Sequence, residues 1–330
     1  MQTVVSGIRP TGNLHLGNYF GAIRNFVRMQ ESNHCYFFIA DYHSLTTHPT
    51  PADLHGNIRM VLSEFLASGL DPEKATLYVQ SDLPEVAELY LLLNMNAYLG
   101  ELMRCTSFKE KARTQPENVN AGLLTYPSLM AADIIIHKAH FVPVGKDQEQ
   151  HLEMTRTFAK RFNRMYGVEY FPEPQAYNFG DALVKIPGLD GTGKMGKSEG
   201  EGNAIFLADP PEVIRKKVMR AVTDAGPQAG QEKSQAVENL FTLLKVMSKQ
   251  ETVDFFEDQY LKGSIRYGDL KKQLAEDIIA YTAPIREKIL AIAGDDAYLA
   301  SVTRLGADRA RESASRTIRE VREIIGFKAF

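Results

Sequence analysis

Thr3-Val4-Val5-Ser6-Gly7-Ile8-Arg9-Pro10-Thr11-Gly12-Asn13-Leu14-His15-Leu16-Gly17-Asn18 decides how this chain folds. Its first six residues are a short, largely β-branched run, and the turn that follows holds Pro10 and Gly12. Asn18–Gln30 then sets Phe20, Ile23 and Val27 at helical spacing. A buried strand passing through a turn into a helix is the predicted unit. The unit recurs. Cys35–Ala40 is a second apolar run, and Asp53–Leu66 is a helical pattern carrying Leu54, Ile58, Val61, Leu62 and Phe65. Thr76–Gln80 is the third strand. Such alternation implies parallel strands with right-handed crossovers, so residues 1–205 are expected to form an α/β domain around a doubly wound sheet. Ligands bind such sheets beyond the carboxyl ends of the strands, where residues of chemical interest are therefore sought.

Beyond Pro210 the strand-like runs disappear. Helical periodicity takes over in Pro211–Val222, Ala236–Met247, Val253–Tyr260, Leu270–Leu290 and Arg309–Ile325. Residues 206–330 are expected to be an α-helical second domain, and 330 residues suit two domains. With 44% apolar and 24% charged residues the composition is that of an ordinary globular chain. No apolar stretch approaches the roughly 20 residues of a membrane span. The opening MQTVVSGIRPTG has neither a basic head nor an apolar run, so no secretory signal is expected and a cytoplasmic location is. Cys35 and Cys105 are too few for a disulfide framework or a four-cysteine metal site. A net charge of −3 argues against a generally basic nucleic-acid coat, but not against a local basic face. There are 14 Tyr and 17 Phe, yet no Trp.

Two motifs carry chemistry. Thr11–Asn18 places a Gly-containing turn at the mouth of a helix, where backbone N–H groups and the positive helix end favour an anion. His15 and Asn18 add polar side chains one turn apart, and Gly17 leaves room for a flat ring or a phosphate. A plain strand–turn–helix capped by Asn would leave the same pattern. The second motif, Gly191-Thr192-Gly193-Lys194-Met195-Gly196-Lys197-Ser198, literally satisfies G-x-x-x-x-G-K-[ST]. A phosphate loop needs a strand before it, for which Ala182–Pro187 is the candidate, and a helix after it. Gly200 and Gly202 follow at once, and glycine costs about 1 kcal/mol per helical position. The segment reads better as a flexible loop whose two lysines close over a triphosphate and neutralise a departing pyrophosphate.

His15-Leu16-Gly17-Asn18 and, far downstream, Lys194-Met195-Gly196-Lys197-Ser198 resemble the two signatures of class I aminoacyl-tRNA synthetases. Ser6–Gly12, Gly122–Pro127, Leu129–Ile134, Pro143–Gly145, Asp147–Gln148 and Arg220–Asp224 are similar to the tryptophanyl-tRNA synthetases in particular. The resemblance runs along nearly the whole chain. It implies a Rossmann-like catalytic domain over 1–205 and an anticodon-binding helical domain over 206–330. It also implies activation of L-tryptophan by ATP to tryptophanyl-adenylate and pyrophosphate, then transfer to the 3′-terminal ribose of tRNA(Trp). ATP would be a substrate accompanied by Mg²⁺, with no tightly bound cofactor and no protein metal site, and the protein would be a homodimer with no membrane partner.

By the same resemblance His15, Asn18, Lys111, Lys194 and Lys197 act on the phosphates. Arg9, Pro10, Thr11, Gly17, Gly145, Lys146, Asp147, Val184, Met195, Gly196 and Ser198 join Asn18, Lys194 and Lys197 around the nucleotide. Asp133, Met130, Tyr126, His43, Gln148 and Gly7 hold tryptophan. Asp133 also has an argument of its own. It is the sole polar side chain in Leu129–Ile136, and a buried carboxylate needs a donor. That donor is either a neighbouring Tyr, Lys or helix N-terminus or a substrate. Indole nitrogen is donor-only, so a carboxylate suits it, and such a site rejects phenylalanine by about 10⁴–10⁵. His43 lies just past a predicted strand, yet a satisfied surface histidine reads the same way, and the basic run around Lys111 is equally compatible with solvated surface.

Three positions depart from the family pattern: Gly196 where serine is usual, Lys146 where an acid is usual, and Arg9 where Gln is frequent. The last two add positive charge near the nucleotide. Arg304–Lys328 has seven Arg or Lys against four Asp or Glu, compatible with phosphate contacts or with a solvated amphipathic helix. Without a cysteine after Cys105 the chain cannot hold the C-terminal iron–sulfur cluster of some relatives. The rival readings are a tyrosyl-tRNA synthetase, a non-catalytic paralogue binding tryptophan or RNA, and a phosphate-loop ATPase.

Overall fold

Five parallel strands form one sheet in the computed structural model, which describes residues 1–145, 148–177, 184–196, 200–226 and 232–327. They are β1 (Thr3–Ile8), β2 (His34–Ile39), β3 (Ala75–Val79), β4 (Phe141–Val142) and β5 (Gln175–Ala176), in the order β3-β2-β1-β4-β5. β1 pairs with β2 from Thr3↔His34 to Ile8↔Ile39, and β2 with β3 from Cys35↔Ala75 to Ile39↔Val79. The first three strands lie where the apolar runs place them, and β4 falls inside the predicted His140–Val144. β5 is two exposed residues and carries no apolar signal.

Side chains alternate across the sheet. Val4, Phe37 and Leu77 enter one core, and Val5, Phe38 and Tyr78 the other. The first core continues through helices Pro51–Ala67, Gln235–Met247 and Tyr267–Ala293, and the second through Pro84–Asn94, Tyr126–Ile135 and Glu149–Tyr166. Burial on both faces explains why β2 and β3 read as near-continuous apolar runs.

Helix Asp296–Ile325 contributes Leu299 and Val302 to the first core but Ala310, Ala314, Ile318 and Val321 to the second. It therefore crosses the edge of the sheet at β3. At the crossing, a Cβ on Gly306 would overlap the Leu77 carbonyl oxygen, so only glycine permits this approach. Arg309 donates to the Pro72 carbonyl at 2.6 Å and Arg311 to that of Asp82 at 2.7 Å. Arg322 pairs with Glu88 at 2.6 Å. The helix covers an edge strand that would otherwise invite pairing, and part of the basic bias of Arg304–Lys328 is engaged within the chain.

Two sequence expectations change. The helix over Asn18–Gln30 comes in three pieces: α-helical Leu16–Asn18, a π turn Tyr19–Ile23, and α-helical Arg24–Met29. Such π turns favour functional sites. Of the strand expected over 182–187, the described part holds only an isolated bridge between Pro187 and Lys194. Met195 N–H donates to the Ile186 carbonyl at 2.8 Å, and Gly188 N–H to that of Gly193 at 3.0 Å. The chain thus doubles back instead of running from strand to helix. Gly200–Phe206 then holds one 3₁₀ turn, Glu201–Asn203, and no α-helix, which removes the phosphate-loop geometry. Among the described residues no helix is long and apolar enough to cross a membrane.

Candidate active site

A cavity of about 410 Å³ opens beyond the carboxyl ends of β1, β2 and β4, at the point where the strand order reverses. Gly7 and Arg9 come from the end of β1, His43 from the turn after β2, and Pro143 to Gly145 from the end of β4. Lys111 comes from helix Thr106–Thr114. Tyr126, Met130 and Asp133 project from one face of helix Tyr126–Ile135, as their spacing of four and three dictates. Gln148 and His151 close the wall. A Cβ on Gly7 would come within 2.5 Å of the Phe38 ring, so that wall requires glycine.

Asp133 is 2% exposed. Its Oδ2 accepts from His43 Nε2 at 2.7 Å and its Oδ1 from Gln80 Nε2 at 2.7 Å. These two bonds occupy about half of a carboxylate's roughly four acceptor positions. Burial pushes the Asp133 carboxyl above the usual carboxylate range, against the opposing pull of His43 and Gln80. Among the described residues its donors are therefore His43 and Gln80 and not a Tyr, a Lys or a helix N-terminus. His43 is likewise no surface histidine: it is 4% exposed, and its Nδ1 is buried with no protein partner among the described residues. Gln80 was missed in the sequence. It is fully buried, its Oε1 accepts from the Tyr42 N–H at 3.1 Å, and it sits one residue past β3, where the strand-end rule points.

Cationic groups face the same cavity. The half-buried Lys111 holds its ammonium 5.5 Å from the centre of the Tyr126 ring, and Arg9 lines the wall with it. Burial, and then the Arg9 guanidinium, hold Lys111 below the ordinary lysine range, while burial pushes the Tyr126 phenol up. The cavity thus combines a buried carboxylate, apolar walls and two cations. That combination suits an amino acid whose side chain ends in a donor and whose carboxylate faces positive charge.

The signature turn is built beside this cavity. His15 caps helix Leu16–Asn18: its Nδ1 accepts from the Asn18 N–H at 3.2 Å, and Asn18 Oδ1 accepts from the His15 N–H at 3.2 Å. Leu14 N–H donates to both carboxylate oxygens of Glu64 at 3.0 Å, and Glu64 is fully buried. A Cβ on Gly17 would lie 2.9 Å from the His15 ring and 3.4 Å from the Met195 carbonyl oxygen, so the two signatures meet there. Met195 is buried in the first core, with the half-buried Val184 packed against that core, and Lys194 is exposed. Pro10 is buried, Thr11 N–H donates to the Arg9 carbonyl at 2.9 Å, and Gly196 is half-buried. His15, Asn18 and Lys194 do not line the Asp133 cavity. Lys146, Asp147, Lys197 and Ser198 lie outside the described residues.

The family model described as tRNA synthetases class I (W and Y) matches residues 1–282. A tryptophan–tRNA ligase of Porphyromonas gingivalis is 66% identical over 329 residues, 99% of this chain and 100% of that protein. One from Clostridium tetani is 40% identical over 99% of this chain and 96% of its own. The solved tryptophanyl-tRNA synthetase of Campylobacter jejuni, complexed with ADP and tryptophan, superposes with a TM-score of 0.88 at 34% identity, covering 98% of this chain and 99% of that one. Its doubly wound sheet, its two signatures and these likenesses over its full length agree: the chain belongs to the W and Y family of class I tRNA synthetases.

Proposed function

We propose that the chain is a tryptophan–tRNA ligase, which activates L-tryptophan with ATP and transfers it to the 3′-terminal ribose of tRNA(Trp). The observation that carries this reading within the site is Asp133: a buried carboxylate in a cavity with apolar walls, with acceptor capacity left beyond His43 and Gln80. It suits the indole N–H, while Met130 and Tyr126 pack the ring. Gly7, His43 and Gln148 complete the amino-acid side. Lys111 and Arg9 meet the carboxylate and phosphates.

The tryptophan carboxylate attacks the α-phosphorus in line, a bond to pyrophosphate breaks, and the adenylate forms. Such transfer depends on positioning and charge stabilisation, so no side chain need act as a covalent nucleophile. His15 and Asn18, with Lys194 and Lys197, serve the phosphates. Among the described residues no three His, Cys, Asp or Glu side chains converge on a metal position. Mg²⁺ would arrive on the triphosphate, as it commonly does, and neutralise part of its charge.

A homodimer in the cytoplasm completes the proposal. Leu91, Met95, Tyr98, Leu99 and Met103 are all at least half exposed within one short segment, the kind of apolar surface a second copy covers. Residues 206–330 would take the anticodon. ATP–pyrophosphate exchange supports the proposal if it requires tryptophan and defeats it if tyrosine alone sustains it.

A further inference from the structure

One buried cluster against the cavity wall has no part in the scheme above. His151 is 3% exposed, in the first turn of helix Glu149–Tyr166. Its Nδ1 lies 3.0 Å from Gln148 Oε1, so Nδ1 carries the proton and donates. Nε2 is then the acceptor, taking the Ser107 hydroxyl at 2.9 Å and the Cys105 thiol at 3.4 Å. Beside it, Gln150 Oε1 accepts from the Thr106 N–H at 2.9 Å. Helix Thr106–Thr114, which carries Lys111, buries none of its own residues and has no side-chain cap. A helix with so little apolar anchorage depends on such polar ties for its placement.

We propose that His151 is a positioning residue that couples the two sides of the site: through Nδ1 it sets the Gln148 amide, and through Nε2 it sets the turn that launches Lys111. The proposal rests on the tryptophan–tRNA ligase reading, in which Gln148 serves the amino acid and Lys111 the phosphates. Cys105 reports on the Nε2 side. Burial alone would raise its thiol, but passing the thiol proton to Nε2 leaves a thiolate that accepts from the charged ring and from the Ser107 hydroxyl 3.2 Å away, which brings it down to about 7, whereas burial pushes Cys35 up to about 12. Thiolate absorbance rising near neutral pH is therefore expected from Cys105 and not from Cys35.

The test uses His151→Asn, His151→Gln and His151→Phe in the full chain. An Asn amide nitrogen takes the place of Nδ1, and a Gln amide oxygen that of Nε2. The Asn variant keeps the KM for tryptophan and raises that for ATP by about 3–10-fold, the effect of one neutral hydrogen bond. The Gln variant does the reverse. The Phe variant loses both and moves the Cys105 thiolate transition to higher pH, and its effect on the tryptophan KM disappears in a Gln148→Ala background. Equal changes of both constants in the Asn and Gln variants, or an unmoved thiol transition in the Phe variant, would overturn the proposal. A wild type with no tryptophan-dependent exchange would refute the ligase reading instead, and the thiol titration would still decide whether His151 holds this turn.

Discussion

Replacing Asp133 by Asn tests the amino-acid pocket at its deepest point. The change keeps the volume and removes the charge. Oδ1 can still accept from Gln80, and the new amide can donate to His43 Nε2, because His43 Nδ1, which has no partner among the described residues, can take the proton. The variant should therefore fold. What it loses is a carboxylate acceptor for the indole N–H. A hydrogen bond to a charged group contributes about 1.5–3 kcal/mol, so tryptophan should bind about 10–150-fold more weakly. The protein has no Trp of its own, so emission excited in the indole band comes from the ligand alone and gives the affinity directly. Acidification supplies a second arm. Burial raises the Asp133 carboxyl, so the wild type should lose affinity as pH falls through a range above that of ordinary carboxylates. The Asn variant should stay flat over the same range. Unchanged affinity in the variant, or the same acid limb in both proteins, would remove Asp133 from the site.

Other consequences are independent of that pocket. Gly306→Ala forces a side chain against the Leu77 carbonyl and should cost about 1–3 kcal/mol or more, seen as a fall of several degrees in Tm; an unchanged Tm would mean the helix does not cross β3 so closely. Arg9→Gln removes a cation that lowers Lys111, so the alkaline limb of kcat/KM for exchange should move to higher pH, with burial still holding it below that of a free lysine. A limb that stays put or moves down contradicts this. Glu64→Ala leaves the buried Leu14 N–H without its acceptor and should cost about 1–3 kcal/mol in denaturant unfolding, with a higher KM for ATP than for the wild type.

The doubly wound sheet was legible because β2 and β3 are largely buried and read as near-continuous apolar runs, and β1 as a short, largely β-branched one. β5 was not, because two exposed residues carry no pattern. The path of helix Asp296–Ile325 back to β3 was hidden too, since periodicity gives a helix its apolar face but not its neighbour. Within the site, Asp133 stood out as one carboxylate in an apolar run. Gln80 did not, because it closes a strand-like run and looks like its polar end. Glu64 carries no signal of its own, because a carboxylate on an amphipathic helix has the pattern of a solvent-facing residue, and only the fold brings it to the Leu14 N–H. The cluster around His151 joins residues from two segments far apart in the chain, and no local spacing announces it.

In the proposed reaction this cavity selects tryptophan for activation. ATP–pyrophosphate exchange, measured on the full chain with tryptophan and with tyrosine at matched concentrations, tests it most directly. Robust exchange with tryptophan and none above background with tyrosine is the expected result. Exchange with tyrosine alone, or ATP hydrolysis that needs no amino acid, would contradict it.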